Sequence, residues 1–136
     1  MSDDAHLQIG QVAARTELSI ATVRHYDEVG LVTPSARSTG GFRLYTEADI
    51  ERLLLIRRMK PLGFALADMK DLLDSLDTLN GGASAQQRAA AAQQLQECES
   101  KVRESAEKLR KHLAYAEELT GLLGRLLGRA DAGEKT

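Results

Sequence analysis

Arg24 and His25 stand in the run Thr22-Val23-Arg24-His25-Tyr26-Asp27, and two further arginines, Arg37 and Arg43, flank Gly40-Gly41 with no acid between them. Arg52, Arg57, Arg58 and Lys60 form a second cationic group that also contains no acid. Clustered guanidinium and ammonium groups suit contact with phosphate oxygens. What could place them along a duplex is legible from Ile9 to Tyr45: two short helices around a tight turn, then a glycine-tipped basic hairpin. That order of elements reads as a winged helix-turn-helix, in which one helix enters the major groove and a cationic wing lies beside it.

The pattern predicts helix one over Gln8 to Arg15, with Ile9, Val12 and Ala13 sharing a face. The turn is Thr16-Glu17-Leu18, and Leu18 is expected to be buried. Ser19 suits the N-cap of helix two and Gly30 its terminator. Helix two is expected to hold Val23 and Val29 inward and to show Ala21, Thr22, Arg24, His25 and Tyr26 on its other sides. Gly40-Gly41 permits the positive φ of a hairpin tip, and Phe42 to Tyr45 alternates as a strand does. Thr46 with Asp49 forms a capping box for helix three, Thr46 to about Lys60, which Pro61 and Gly63 close. Helix four carries the stripe Leu66, Met69, Leu72, Leu73 and Leu76. The expected domains are a winged helix-turn-helix over 7–76, a glycine-rich hinge over 77–83, a long helix over 84–127 opened by a Ser84/Gln87 box, and a disordered tail over 128–136.

Composition narrows the class. The chain has 136 residues, net charge −2, no Trp, two Phe, three Tyr and one cysteine, Cys98. So few aromatics argue against a large buried sheet, and a single thiol excludes an intrachain disulfide. No run of about 18 apolar residues exists to span a membrane, and Met1 to Gly10 lacks the basic-then-apolar order of a signal peptide. A cytoplasmic, mainly α protein without a membrane partner is expected. Acids collect at Asp3 and Asp4, around Asp68 to Asp77 and in the last third, which leaves the arginine-bearing segments cationic.

Leu95, Val102, Leu109, Ala116 and Leu123 recur every seven residues, with Cys98, Ser105, His112, Leu119 and Leu126 as companions and Leu113 beside them. Glu97–Lys101, Glu99–Arg103, Glu104–Lys108 and Glu107–Lys111 place acid before base at helical spacing. One helix of this length cannot bury such a stripe alone, and the chain offers no other long helix. The expected solution is the same helix from a second copy, a homodimeric coiled coil. Its seam is weak at Ser105 and His112 and strong from Leu119 to Leu127, so an antiparallel pairing lets each weak half meet a strong one. Gly121, Gly124 and Gly128 each disfavour helix by about 1 kcal/mol relative to Ala, which predicts fraying of the last turns.

On these residues the chain resembles the MerR family of bacterial transcription regulators. The resemblance rests on Ile9-Gly10, Ser19, Thr22 to Asp27, Gly30-Leu31, Pro34, Arg37, Gly40 to Tyr45, Asp49 and Gly63-Phe64. It implies that helix two reads the major groove, that the wing grips the backbone, and that a dimer sits on a pseudo-palindromic promoter operator. It also implies a mechanism in which an over-long spacer is bent and untwisted, so that RNA polymerase engages both promoter elements without the regulator contacting it directly. Carried onto this chain, Ala21 and Arg24 approach base edges or nearby phosphates, His25 and Tyr26 press on the backbone, Arg37, Phe42 and Arg43 lie on the wing, and Lys60 meets phosphate after helix three. With Ser19, Thr22, Tyr45 and Arg57 these complete the expected DNA-binding set. Two departures stand out: Glu17 where a turn glycine is common, and Ala65 where a capping Ser is usual. Ala21 is also short for base-specific hydrogen bonding.

Several residues carry a plainer alternative. Tyr45 packs under the wing or touches DNA. Cys98 is a thiol sensor, or a small seam residue. An antiparallel pairing centred near Ser105 sets the two Cys98 about 20 Å apart along the helix, too far for a disulfide. His6 and His112 are expected to be ordinary surface or seam residues. No cofactor, metal or catalysis is implied: no Cys or His follows Tyr115, and the Glu117-Glu118 pair lies on a helix face without a nucleophile. The rival functions are a DNA-bending architectural or recombination-accessory protein that needs no inducer, and a coiled-coil module whose helix-turn-helix binds protein. The stretch after the long helix is short for a separate ligand-binding domain, so any effector is expected to be small, to act at the dimer seam, or to be absent.

Overall fold

A computed structural model describes residues 6–134, so the acids at Asp3 and Asp4 and the end of the expected tail lie outside the described residues. The element order is β1 (Leu7–Gln8), α1 (Ile9–Thr16), α2 (Ile20–Glu28), β2 (Ala36–Arg37), β3 (Arg43–Tyr45), α3 (Glu47–Met59), a 3₁₀ turn (Lys60–Leu62), α4 (Leu66–Asn80) and α5 (Ala85–Glu134). The chain divides into two compact units, one ending at Leu95 and one beginning at Gln96. The first holds the helix-turn-helix and wing, and the second holds the greater part of α5.

Local chemistry sets each boundary of the reading unit. Ser19 Oγ accepts the Thr22 N–H at 3.0 Å and so caps α2. Past its end, Gly30 takes φ +74° and the Leu31 N–H returns to the Tyr26 carbonyl at 2.9 Å. Thr46 and Asp49 close the expected capping box of α3, and Asp49 Oδ2 also accepts the Ser35 N–H and hydroxyl, which ties the loop before the wing to that helix. Glu17 sits in the left-handed region at φ 59°. It is the non-glycine residue with positive φ among those described, at the position where glycine is the strain-free choice.

The three strands form an antiparallel sheet in the order β1-β3-β2, with Leu7 opposite Tyr45 and Arg37 opposite Arg43. β2 and β3 are the two arms of the expected hairpin, while β1 was not expected, because a two-residue strand leaves no period to detect. The sheet covers a core in which Val12, Val23, Tyr26, Leu31, Val32, Tyr45, Ile50, Leu53, Ile56, Met59, Met69 and Leu73 are buried. Val29, expected inward, is 40% exposed, since α2 has already turned into its C-cap at that residue. Leu18 is only half-buried.

Two domain expectations are corrected. α4 runs to Asn80, so helix takes the first part of the expected 77–83 hinge; Leu79 is half-buried, and its carbonyl accepts from Arg88 of α5 at 2.7 Å. α5 continues to Glu134 rather than giving way to a disordered tail at 128. Its glycines are single, and the Leu, Arg, Ala and Glu between them are strong helix formers. The Ser84/Gln87 box is present, with Gln87 N–H to Ser84 Oγ at 3.1 Å and Ser84 N–H to Gln87 Oε1 at 3.0 Å. Of the expected acid–base pairs, Glu99–Arg103 closes at 3.5 Å, while Glu107 pairs with Arg110 at 2.7 Å rather than with Lys111.

α4 begins at an N-cap, Ala65, that has no side-chain acceptor; Asp68 Oδ2 accepts the Ala65 N–H at 3.0 Å, which supplies half of a capping box. Ala65→Ser adds the missing hydroxyl. We expect it to raise stability by about 1 kcal/mol, read as a melting temperature a few degrees higher by circular dichroism. An unchanged melting temperature counts against the cap assignment.

Candidate nucleic-acid interface

The outward side of α2 is built from Ala21, Arg24, His25 and Glu28, all exposed and spaced to share one helix face. Among the described residues, Arg24 makes no ion pair, and neither does Lys60 at the end of α3. Ser19 and Thr22 spend their hydroxyls on each other at 2.9 Å, at the N-terminus of the same helix. This bond and the cap fix the start of α2, where Ser19 remains exposed.

The wing follows β2. Its tip closes through Ser38, whose carbonyl accepts from Gly41 N–H at 2.8 Å and whose hydroxyl accepts from Phe42 N–H at 3.1 Å. Gly41 takes φ +80° there. Phe42 is 68% exposed, an apolar ring held in solvent beside the tip.

Wing and helix are joined by a residue that the sequence reading passed over. Asp27 of α2 accepts Arg43 Nε at 2.6 Å and Arg37 Nη2 at 3.0 Å, both on the same Oδ2. The Asp27 side chain is 10% exposed and that of Arg43 23%. The hydrogen bond to Asp27 holds the Arg43 guanidinium even more firmly protonated than usual. Both wing arginines therefore approach a partner with part of their hydrogen-bonding capacity already used.

Two residues of the expected DNA-binding set, Tyr26 and Arg57, are engaged within the protein. Tyr26 is 3% exposed and packs in the core, with only the edge of α2 carrying His25 beside it at a ring-centroid distance of 6.0 Å. It lies three residues after buried Val23, on the same face, and that spacing could have revealed its position. Arg57, half-exposed, is engaged by α1, donating to the Thr16 carbonyl at 2.8 Å and lying 3.6 Å from the Glu17 carboxylate. It caps the C-terminus of α1, where a cation is favoured. Arg52 and Arg15 are likewise engaged, with Asp77 at 2.6 Å and with Glu47. The free cations of this region are thus fewer than the sequence suggests.

Tyr45 is fully buried beneath the wing, and no described residue hydrogen-bonds its hydroxyl. Burial, followed by the nearby Asp27 charge, pushes the Tyr45 phenol above its ordinary ionisation. The unfolded chain releases this proton at lower pH than the folded one. Stability from this site is therefore complete below the usual tyrosine value of about 10 and is lost as pH rises through the raised folded value. Tyr45→Phe removes an unpartnered buried hydroxyl, so we expect it to stabilise the fold by about 1 kcal/mol. It should also lessen the alkaline loss in a pH series of thermal melts and leave duplex binding unchanged. Weaker binding by the phenylalanine variant would return Tyr45 to the interface.

Among the described residues, no cluster of His, Cys, Asp and Glu could hold a metal ion, and no helix is long and apolar enough to cross a membrane. Cys98 is half-buried on α5.

The family profile described as MerR HTH family regulatory protein matches residues 7–76, and that described as MerR, DNA binding matches 50–116. The HTH-type transcriptional activator mta of Bacillus subtilis is 46% identical over 67 residues, which is 49% of this chain and 26% of that protein. The HTH-type transcriptional regulator ZntR of Escherichia coli is 33% identical over 97 residues, 71% of this chain and 69% of its own length. This chain thus spans about a quarter of mta and about two thirds of ZntR. Among solved structures, the transcription regulator PbrR691 from Ralstonia metallidurans, in complex with lead(II), superposes with TM-score 0.54 at 31% identity, covering 85% of this chain and 84% of that one.

Proposed function

We propose, from the fact that this chain belongs to the MerR family of helix-turn-helix transcription regulators, that it acts as a homodimer which bends and untwists the spacer of a promoter. Its relatives are transcriptional regulators rather than enzymes. The observation that carries the DNA reading is the solvent-facing Arg24, without an ion pair among the described residues, on the same helix whose Asp27 bonds both wing arginines. α2 supplies the groove-entering element, while the wing, Lys60 and Arg58 supply phosphate contacts.

The dimer reading rests on α5. Leu109, Leu113, Leu119, Leu122, Leu123, Leu126 and Leu127 are all exposed in the single chain. Covering half a leucine is worth on the order of 1 kcal/mol, so seven from each copy offer a gross gain on the order of 10 kcal/mol, comparable to the loss of freedom on association. An antiparallel pairing centred near Ser105 sets the leucine-rich end of each copy beside the first turns of its partner's α5. Two reading heads then lie on one face of a duplex. Bending energy of several kcal/mol is met by phosphate contacts.

Selection of bound fragments from a sheared bacterial genome tests this directly. Pseudo-palindromes centred in promoter spacers, with altered electrophoretic mobility that depends on the position of the site, are the expected result. Enrichment of recombination attachment sites instead would favour an accessory DNA-bending role. Failure to enrich any fragment would remove the DNA reading altogether.

A further inference from the structure

We propose that Asp27 is a positioning residue for sequence selection: its carboxylate sets the distance between the reading helix and the wing. The inference rests on the DNA-binding reading above. One oxygen, Asp27 Oδ2, receives both Arg43 Nε and Arg37 Nη2, at 2.6 and 3.0 Å. Arg37 and Arg43 are themselves directly opposed across the β2–β3 pair. Like charges so placed repel, and the ladder that joins them is only two residues long on the β2 side, too short to be rigid alone. The carboxylate therefore does two things at once. It cancels the repulsion that would splay the hairpin, and it fastens the hairpin to α2, three residues from Arg24. The wing arginines are left with outward N–H groups at a fixed offset from the helix that reads the groove.

This role separates affinity from selectivity. Asp27→Asn keeps the shape but removes one negative charge beside two guanidiniums. Attraction to any polyanion then holds or rises, while the helix-to-wing offset loosens. The probes are a 40-base-pair duplex enriched by the wild-type protein from a randomised pool and a duplex drawn from the unselected pool. Asp27→Asn is expected to lose about tenfold on the selected duplex, the scale of one charge-assisted hydrogen bond, and to hold or gain affinity on the unselected one. Asp27→Glu retains the charge and is expected to recover part of the ratio between the two. A merely structural role would weaken both duplexes together, and that outcome overturns the proposal, as does a wild-type ratio in Asp27→Asn. If Asp27→Asn fails to fold, Asp27→Glu carries the test alone: a ratio reduced severalfold supports the offset, and an unchanged one refutes it. Should the wild-type protein enrich no duplex, the DNA reading itself fails, an outcome distinct from the other two.

Discussion

Substituting Leu119→Glu and Leu123→Glu together is expected to give a folded, helical monomer whose affinity for the selected operator duplex has fallen at least a hundredfold. Both side chains are about half exposed in the single chain, so their loss removes little packing within it. Glutamate is also a strong helix former, and α5 should keep its helix content. Across the dimer seam the same changes set four carboxylates where leucines are otherwise covered, and there an unpaired charge is strongly disfavoured. Losing the dimer separates two reading heads that otherwise bind with a millimolar effective concentration for each other, and the avidity lost spans roughly two to four orders of magnitude. Sedimentation equilibrium at micromolar concentration and a gel-shift titration read the two effects. A double variant that remains dimeric means that the seam lies on another face of α5.

The elements that came through from sequence are those whose signals are local. The Ser19 cap, the Gly30 stop, the Gly40-Gly41 tip and the Thr46/Asp49 box each act within four residues, and each holds in the structure. The Glu17 and Ala65 departures were legible for the same reason: one occupies the left-handed turn position and the other an uncapped helix start. What escaped depends on partners distant along the chain. Arg57 meets the end of α1 across 41 residues, and Asp27 meets its arginines across 10 and 16. No spacing rule within one helix shows that a cation will be spent as a cap, or that an acid will organise a hairpin. Tyr26 escaped for a different reason, and Tyr45, left open between packing under the wing and touching DNA, takes the first of its two readings. An aromatic ring with a polar tip suits both core and interface, and the pairing of Tyr45 with Leu7 needed a strand, β1, too short to announce itself.

Those corrections sharpen what Arg24 must do. With Arg15, Arg37, Arg43, Arg52 and Arg57 all paired to carboxylates or carbonyls, Arg24 is the cation of the reading helix with its full set of donors available. Arg24→Ala is expected to lower affinity for the selected duplex by roughly ten- to a hundredfold, the 1 to 3 kcal/mol of a good base-edge contact. The salt dependence then identifies the contact. Loss of a phosphate partner flattens the log–log slope by about one and weakens selected and unselected duplexes alike, whereas loss of a base contact leaves the slope nearly unchanged and acts on the selected duplex alone. The base-edge outcome is the one expected, because Arg24 stands between Ala21 and Glu28 on the outermost face of α2. Arg57→Ala is the matched control. It removes the same charge from the chain but uncaps α1, so it should lower the melting temperature while leaving the salt slope where it was. If Arg57→Ala flattens the slope and Arg24→Ala does not, the cationic surface has been assigned to the wrong side of the molecule.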